Sequence, residues 1–163
     1  MKNSLFMNFS VDKENSKIKV EREFAAPVAK VWSAFTESEI LDQWWAPKPW
    51  KARTKTMDFS EGGFWLYAMV GPDGTEHWSR ADYQSITPLK NFTAFDNFCD
   101  SEGNPAGTIA SAKWDNSFTG NEGTSLVSIE IQFEKLADLE THIQMGFKEG
   151  FTAALENLDA LFQ

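Results

Sequence analysis

Few side chains in this sequence are equipped for chemistry, and their spacing narrows what they can do. There are two histidines, His77 and His142, in 163 residues. His77 lies in a strand-like run beside Tyr83. As the imidazole in that run, it is the one candidate there for a general base. A lone strand histidine is more often a satisfied structural residue. His142 falls on the polar border of the C-terminal helical pattern, where solvation is expected. The two are far apart, with no cysteine cluster and no carboxylate at ligand spacing, so the sequence gives no metal signature. Gly62-Gly63 reads as a turn rather than a phosphate loop, and no Ser or Cys stands in a nucleophile elbow. The single cysteine, Cys99, closes an apolar strand and reads as a small buried hydrophobe. No cofactor is implied.

The placement of His77 and Tyr83 depends on one hairpin. If Pro72-Asp73-Gly74 is a three-residue loop with its glycine left-handed, Gly71 pairs with Thr75. Trp65, Tyr67 and Met69 then share a face with His77, Ser79, Ala81 and Tyr83. Phe64, Leu66, Trp78, Arg80, Asp82 and Gln84 take the other face. Arg80, Asp82 and Gln84 prefer water, so the first set should face inward. A two-residue loop would swap the assignments of the returning strand. The inward set is apolar with a few polar tips, which is how small-molecule pockets are built, although the same residues could fill a solid core.

The roof over this face should come from Ala137 to Phe162. Leu139, Ile143, Phe147, Phe151, Ala154, Leu155, Leu158, Leu161 and Phe162 form one apolar face at 3.6 residues per turn. Asp138 is the expected N-cap. A single helix of about 25 residues would run roughly 37 Å. Gly146 and Gly150 sit on the edge of its apolar face, each costing about 1 kcal/mol in a helix interior. Close packing against the first two helices and an open space below are both adequate reasons for them. Ile143, Phe147, Gly150 and Phe151 are the expected roof residues.

Upstream, Leu5 to Val11 and Ile18 to Phe24 alternate as two strands of a hairpin. Pro27 opens a helix carrying Val28, Val31, Trp32 and Phe35. Thr36 with Glu39 suggests a capping box for a second helix with Ile40, Leu41 and Trp44 buried. From Lys51 onward the chain is strand-like for some 80 residues: Lys51 to Phe59, Phe64 to Val70, Thr75 to Ile86, Asn91 to Cys99, Ile109 to Phe118 and Ser125 to Phe133. Asp100 to Pro105 reads as a flexible insertion. A run of antiparallel strands closed by one long helix implies a curved sheet, and a curved sheet so closed tends to leave a cavity.

Composition sets the outer limits. The aromatic share is 14%, with 14 Phe and 7 Trp, which suits a folded core rather than a disordered chain. A net charge of −9 argues against nucleic acid and against anionic lipid as partners. There is no apolar run of 18 residues and no signal-peptide core at the start. One domain spanning 1–163, with an extension of about 16 residues at its start, in a reducing cytoplasmic setting, is the expectation.

The segment Val20-Glu21-Arg22-Glu23-Phe24-Ala25-Ala26-Pro27-Val28-Ala29-Lys30-Val31-Trp32 resembles the opening of the SRPBCC (START-like, birch-pollen-allergen-like) superfamily. Leu41-Asp42-Gln43-Trp44-Trp45-Ala46-Pro47 is similar to the tryptophan-pair motif of its AHSA-type branch, related to the activator of the heat-shock chaperone ATPase. The Gly62-Gly63 and Pro72-Asp73-Gly74 turns and the Gly-containing terminal helix also match, so the resemblance covers about residues 17 to 162. It implies an α+β helix-grip fold: a curved antiparallel sheet around a long C-terminal helix, two short helices after the first strand, and an apolar cavity between. The branch often has Gly after the tryptophan pair, where this chain has Ala46. The co-chaperones that give the branch its name carry an N-terminal domain for chaperone contact, and about 16 residues precede the shared region here.

The leading expectation is a non-catalytic domain binding a small hydrophobic or amphipathic ligand, in a cavity above roughly 300 Å³. Its contacts would be Trp44, Trp45, Trp65, Tyr67, Met69, His77, Tyr83, Ile143, Phe147, Gly150 and Phe151, with Trp45 at the mouth or against the Pro47–Trp50 loop. One alternative is a chaperone-interaction or homodimerisation module docking through an exposed patch of Phe64, Leu66 and Trp78. Another is a cyclase- or aromatase-type enzyme using His77 or Tyr83.

Overall fold

A computed structural model describes residues 5–106 and 110–163. Within them lie eight strands: β1 (Met7–Asp12), β2 (Lys17–Phe24), β3 (Lys51–Met57), β4 (Phe64–Val70), β5 (Glu76–Thr87), β6 (Asn91–Cys99), β7 (Ala112–Gly120) and β8 (Ser125–Gln132). They form one antiparallel sheet in the order β1-β2-β8-β7-β6-β5-β4-β3. Helices α1 (Val28–Thr36) and α2 (Ser38–Trp44) lie between β2 and β3, and α3 (Leu136–Gln144) and α4 (Phe147–Leu161) follow β8. This is the α+β helix-grip arrangement. The expected N-terminal extension supplies an edge strand, since β1 pairs along its length with β2. Ile109, expected in the seventh strand, lies outside the described residues.

The decisive hairpin has the three-residue loop. Gly74 is left-handed at φ +89°, and the Gly71 N–H donates to the Thr75 carbonyl at 2.8 Å. Tyr67 faces Ser79, Met69 faces His77 and Trp65 faces Ala81. Period-2 alternation then fixes the inner face of the sheet. β8 carries the same rule, with Val127, Ile129 and Ile131 buried.

The C-terminal roof differs from the single helix expected. It breaks at Met145-Gly146, where Gly146 takes φ +87° and serves as the N-cap of α4. A left-handed residue cannot continue a right-handed helix, and glycine reaches it without a Cβ penalty. The α3 N-cap is Lys135, not Asp138, which stands in the first turn. The expected capping box is also absent. Glu37 is the α2 N-cap without a side-chain bond, while the Thr36 hydroxyl donates back to the Trp32 carbonyl at 2.9 Å.

On the outer face, the expected sticky patch is covered. Leu66 is only 4% exposed. The Arg80 guanidinium lies 4.1 Å from the Phe64 ring centroid, and Arg53 and Lys55 each stand 5.8 Å from that of Trp78. Asp100 to Pro105, expected as a flexible insertion, is instead tied down. The Asp100 carboxylate accepts from the Glu102 and Asn104 backbone N–H groups, and Lys55 Nζ donates to the Ser101 carbonyl at 2.7 Å. The loop also lies against Arg80 and Leu66 at Gly103.

Candidate functional site

Between the inner face of β4–β7 and the α3–α4 junction lies a cavity of about 260 Å³. Its floor comes from alternate residues of the sheet, Tyr67 and Met69 on β4, His77 and Ser79 on β5, Asp96 and Phe98 on β6, and Trp114 on β7. Its roof is His142, Met145, Gly146, Phe147, Gly150 and Phe151, and Trp45 with Pro47 closes one end. Beyond Trp45, Tyr67 and Asp96 a narrow chamber of about 40 Å³ continues inward, lined among others by Trp65, Ala81, Tyr83 and Ala94. Together these reach the lower end of the volumes at which ligand pockets are found, about 300 Å³. On the outer side the cavity opens past Met69, His77, Phe98 and Met145 into a wider surface groove.

Trp45 is the partition between the two spaces. It is neither at the mouth nor folded onto the Pro47–Trp50 loop. Its indole N–H donates to the Tyr67 hydroxyl at 3.0 Å, and its ring packs on Trp44, Trp65, Trp114 and Phe151 at centroid distances of 5.2 to 6.0 Å. α2 holds it there because Trp44, next in chain, is locked into the core with its indole N–H on the Ala34 carbonyl at 2.9 Å. Asn157 of α4 donates to the Ala46 carbonyl at 3.1 Å, fixing the motif against the roof. A second chain of bonds anchors Trp65, whose indole N–H donates to the Thr54 hydroxyl, which donates in turn to Asp42 at 2.7 Å.

Of the expected contact residues, Trp45, Trp65, Tyr67, Met69, His77, Tyr83, Phe147, Gly150 and Phe151 line the cavity or its inner chamber. Trp44 does not, being 0% exposed in the core, and Ile143 packs on the core beside the roof without lining it. His77 and Tyr83, the alternatives for an enzymatic reading, lie in different spaces: Tyr83 lines the inner chamber and His77 the outer cavity. His77 is exposed and lies 5.2 Å from the Trp50 ring. Burial pushes the phenols of Tyr67 and Tyr83 well above their ordinary range, so both stay protonated.

Two functional candidates were not anticipated. His142, expected in solvent, packs against Phe98, Phe133 and Phe147 at 4.9 to 6.0 Å between ring centroids. Its Nδ1 is buried without a hydrogen-bond partner among the described residues. Burial holds the imidazole below its usual range, against the opposing pull of Asp138. On α3 this border position lies on the cavity side rather than in solvent. Asp96 lies on the floor between Ala81 and Ala112, its neighbours across the strands. Desolvation raises its carboxyl to about 7. Its signal was the alternation Phe92, Ala94, Asp96, Phe98, masked by the apolar Phe95 and Cys99 on the opposite face.

An antiparallel sheet gripping a broken C-terminal helix across an aromatic hollow defines an α+β domain of the helix-grip class. Within that class the chain belongs to the family described as Activator of Hsp90 ATPase homolog 1-like protein, whose model matches residues 25–163. Among solved structures it is similar to a Mycobacterium smegmatis protein, 24% identical with a TM-score of 0.90, covering 98% of each chain. An Arthrobacter aurescens protein is 28% identical with a TM-score of 0.88, over 94% of this chain and 89% of that one. The AHSA1 protein of Silicibacter pomeroyi is 19% identical with a TM-score of 0.69, over 90% and 96%. No curated protein matches the chain. No helix among the described residues is long and apolar enough to cross a membrane.

Proposed function

We propose that this chain binds a small apolar or amphipathic molecule between the β4–β7 floor and the α3–α4 roof, without transforming it. The observation carrying this is the 260 Å³ cavity, walled by aromatic rings between the sheet and the roof. Protein interiors normally collapse onto such voids, and each unfilled volume costs stability. Here the tethered indole of Trp45 and the break at Gly146 hold the space open. The family's name suggests chaperone contact as a second reading, but the outer sheet surface it would use is occupied by Arg53, Lys55, Arg80 and the loop after β6.

Thermal-shift and native mass-spectrometry screens against lipids and aromatic metabolites test this. A ligand at a hundredfold excess over its Kd stabilises by about 2.7 kcal/mol, a shift of several degrees in Tm for a domain this size. Ser79→Trp fills the floor of the cavity and should abolish the shift while the protein stays folded. Absence of any shift across both libraries would remove the reading.

A further inference from the structure

Among the described residues the cavity has one carboxylate, Asp96, and no Lys or Arg to pair with it. No described cation lies within ion-pair distance of Asp96. No described side chain donates a hydrogen bond to it; the Asn97 backbone N–H is the protein group that favours its charged form. The cavity it shares is lined by Trp45, Tyr67, Phe98, Trp114, Phe147 and Phe151. A carboxylate placed inside an aromatic wall is costly unless something of opposite charge enters with it. Aromatic faces and a lone carboxylate are together the recognition chemistry of an organic cation.

Resting on the ligand-binding reading above, we propose that the cavity takes an organic amine, its apolar body against the aromatic wall and its ammonium head paired with the Asp96 carboxylate. The amine donates its N–H bonds to a carboxylate that otherwise has only the Asn97 backbone N–H to favour its charge. Nothing covalent is formed or broken. The other titratable groups facing the space are the phenols of Tyr67 on β4 and Tyr83 on β5, and the imidazoles of His77 on β5 and His142 on α3. From behind the sheet Asp82 adds a repulsion that disfavours a second negative charge. The α4 and β7 residues lining the cavity, including Phe147, Phe151 and Trp114, carry no charge.

Asp96 titrates at about 7, while an alkylamine, like lysine, stays charged to about pH 10, so amine affinity follows the ionised fraction of Asp96. That fraction grows about thirtyfold between roughly pH 5.5 and 8. The probes are 4-phenylbutylamine, 4-phenylbutanol and 4-phenylbutanoate, which share one apolar body, measured by calorimetry and tryptophan fluorescence. The amine should bind at least about tenfold more tightly than the other two at pH 8, gain about thirtyfold from pH 5.5 to 8, and release a proton on binding at pH 6. Asp96→Asn, close in shape, should lose the preference for the amine over the alcohol and flatten the pH profile.

Equal binding of the alcohol or the acid overturns the proposal. So does a pH profile that persists in Asp96→Asn, because the imidazoles would then carry it. If other apolar molecules shift Tm while the amine does not bind, the amine assignment falls and the binding cavity stands. If nothing binds, both fall.

Discussion

At the scale of single residues, Asp96 has a consequence for stability independent of any ligand. Its folded carboxyl titrates at about 7 against an ordinary 3.8, so the folded state holds the proton more tightly than the unfolded one. Stability therefore falls as pH rises from about 4 to about 7, and the cost is complete above that window. Asn at this position does not titrate. Asp96→Asn should raise stability at pH 8 relative to the parent by about 2 kcal/mol, allowing for water reaching the carboxylate through the cavity mouth, and the gain should vanish near pH 4. Urea titrations at the two pH values measure it, and a pH-independent difference would contradict the burial. The residues legible in the sequence were those of the β4–β5 hairpin, because one turn glycine fixed the register and the register fixed every inward side chain. Asp96 was not legible, since both faces of β6 mix apolar and polar residues, with Phe95 half-buried and Cys99 buried on the outer one. His142 was lost for a different reason: it falls on the border of the apolar face, and on α3 that border lies on the cavity side.

Element by element, the α3–α4 junction decides the shape of the cavity, and the two glycines there do unlike work. Gly146 has open space around its missing Cβ but a φ of +87°, so its cost on substitution is backbone strain alone. Gly146→Ala should destabilise by about 1 kcal/mol. Gly150 lies in the first turn of α4 with ordinary backbone geometry, and a Cβ there would meet only Pro47, at a comfortable 3.7 Å. Gly150→Ala should therefore stabilise by about 0.5–1 kcal/mol through helix propensity, while placing a methyl in the cavity and weakening its ligand. Opposite signs in thermal unfolding of the two variants are the expected result; two losses would mean α4 packs more tightly on Pro47 than the contact distance allows. Hydrophobic periodicity located this helical segment well, because both halves bury the same kind of stripe. It could not reveal the break, since a left-handed glycine between two helical turns leaves the i, i+3, i+4 spacing almost intact.

For the whole molecule, the question is which surface is offered to a partner: the hollow or the back of the sheet. Among the described residues the edge strands of the sheet are β1 and β3. β3 presents Lys51, Arg53 and Lys55 at alternate positions and carries a bulge between Thr54 and Thr56. Charged side chains and bulges on an edge strand oppose pairing with another sheet. Behind it, Arg53, Lys55 and Arg80 lie over Trp78 and Phe64, masking the apolar rings with cations in a molecule whose net charge is −9. The guanidinium of Arg80 is further held by Asp82 at 2.9 Å. A surface so covered is suited to water, and like net charge keeps copies apart. The protein should scatter light as an 18.4 kDa monomer at low and moderate salt. Arg80→Ala removes the cation over Phe64 and loosens the loop at Gly103 that helps bury Leu66, so this variant should self-associate where the parent does not. A parent protein that dimerises, with the dimer lost in Arg80→Ala, would reverse the argument: the cations would then be contacts rather than covers, and the back of the sheet would be the working face.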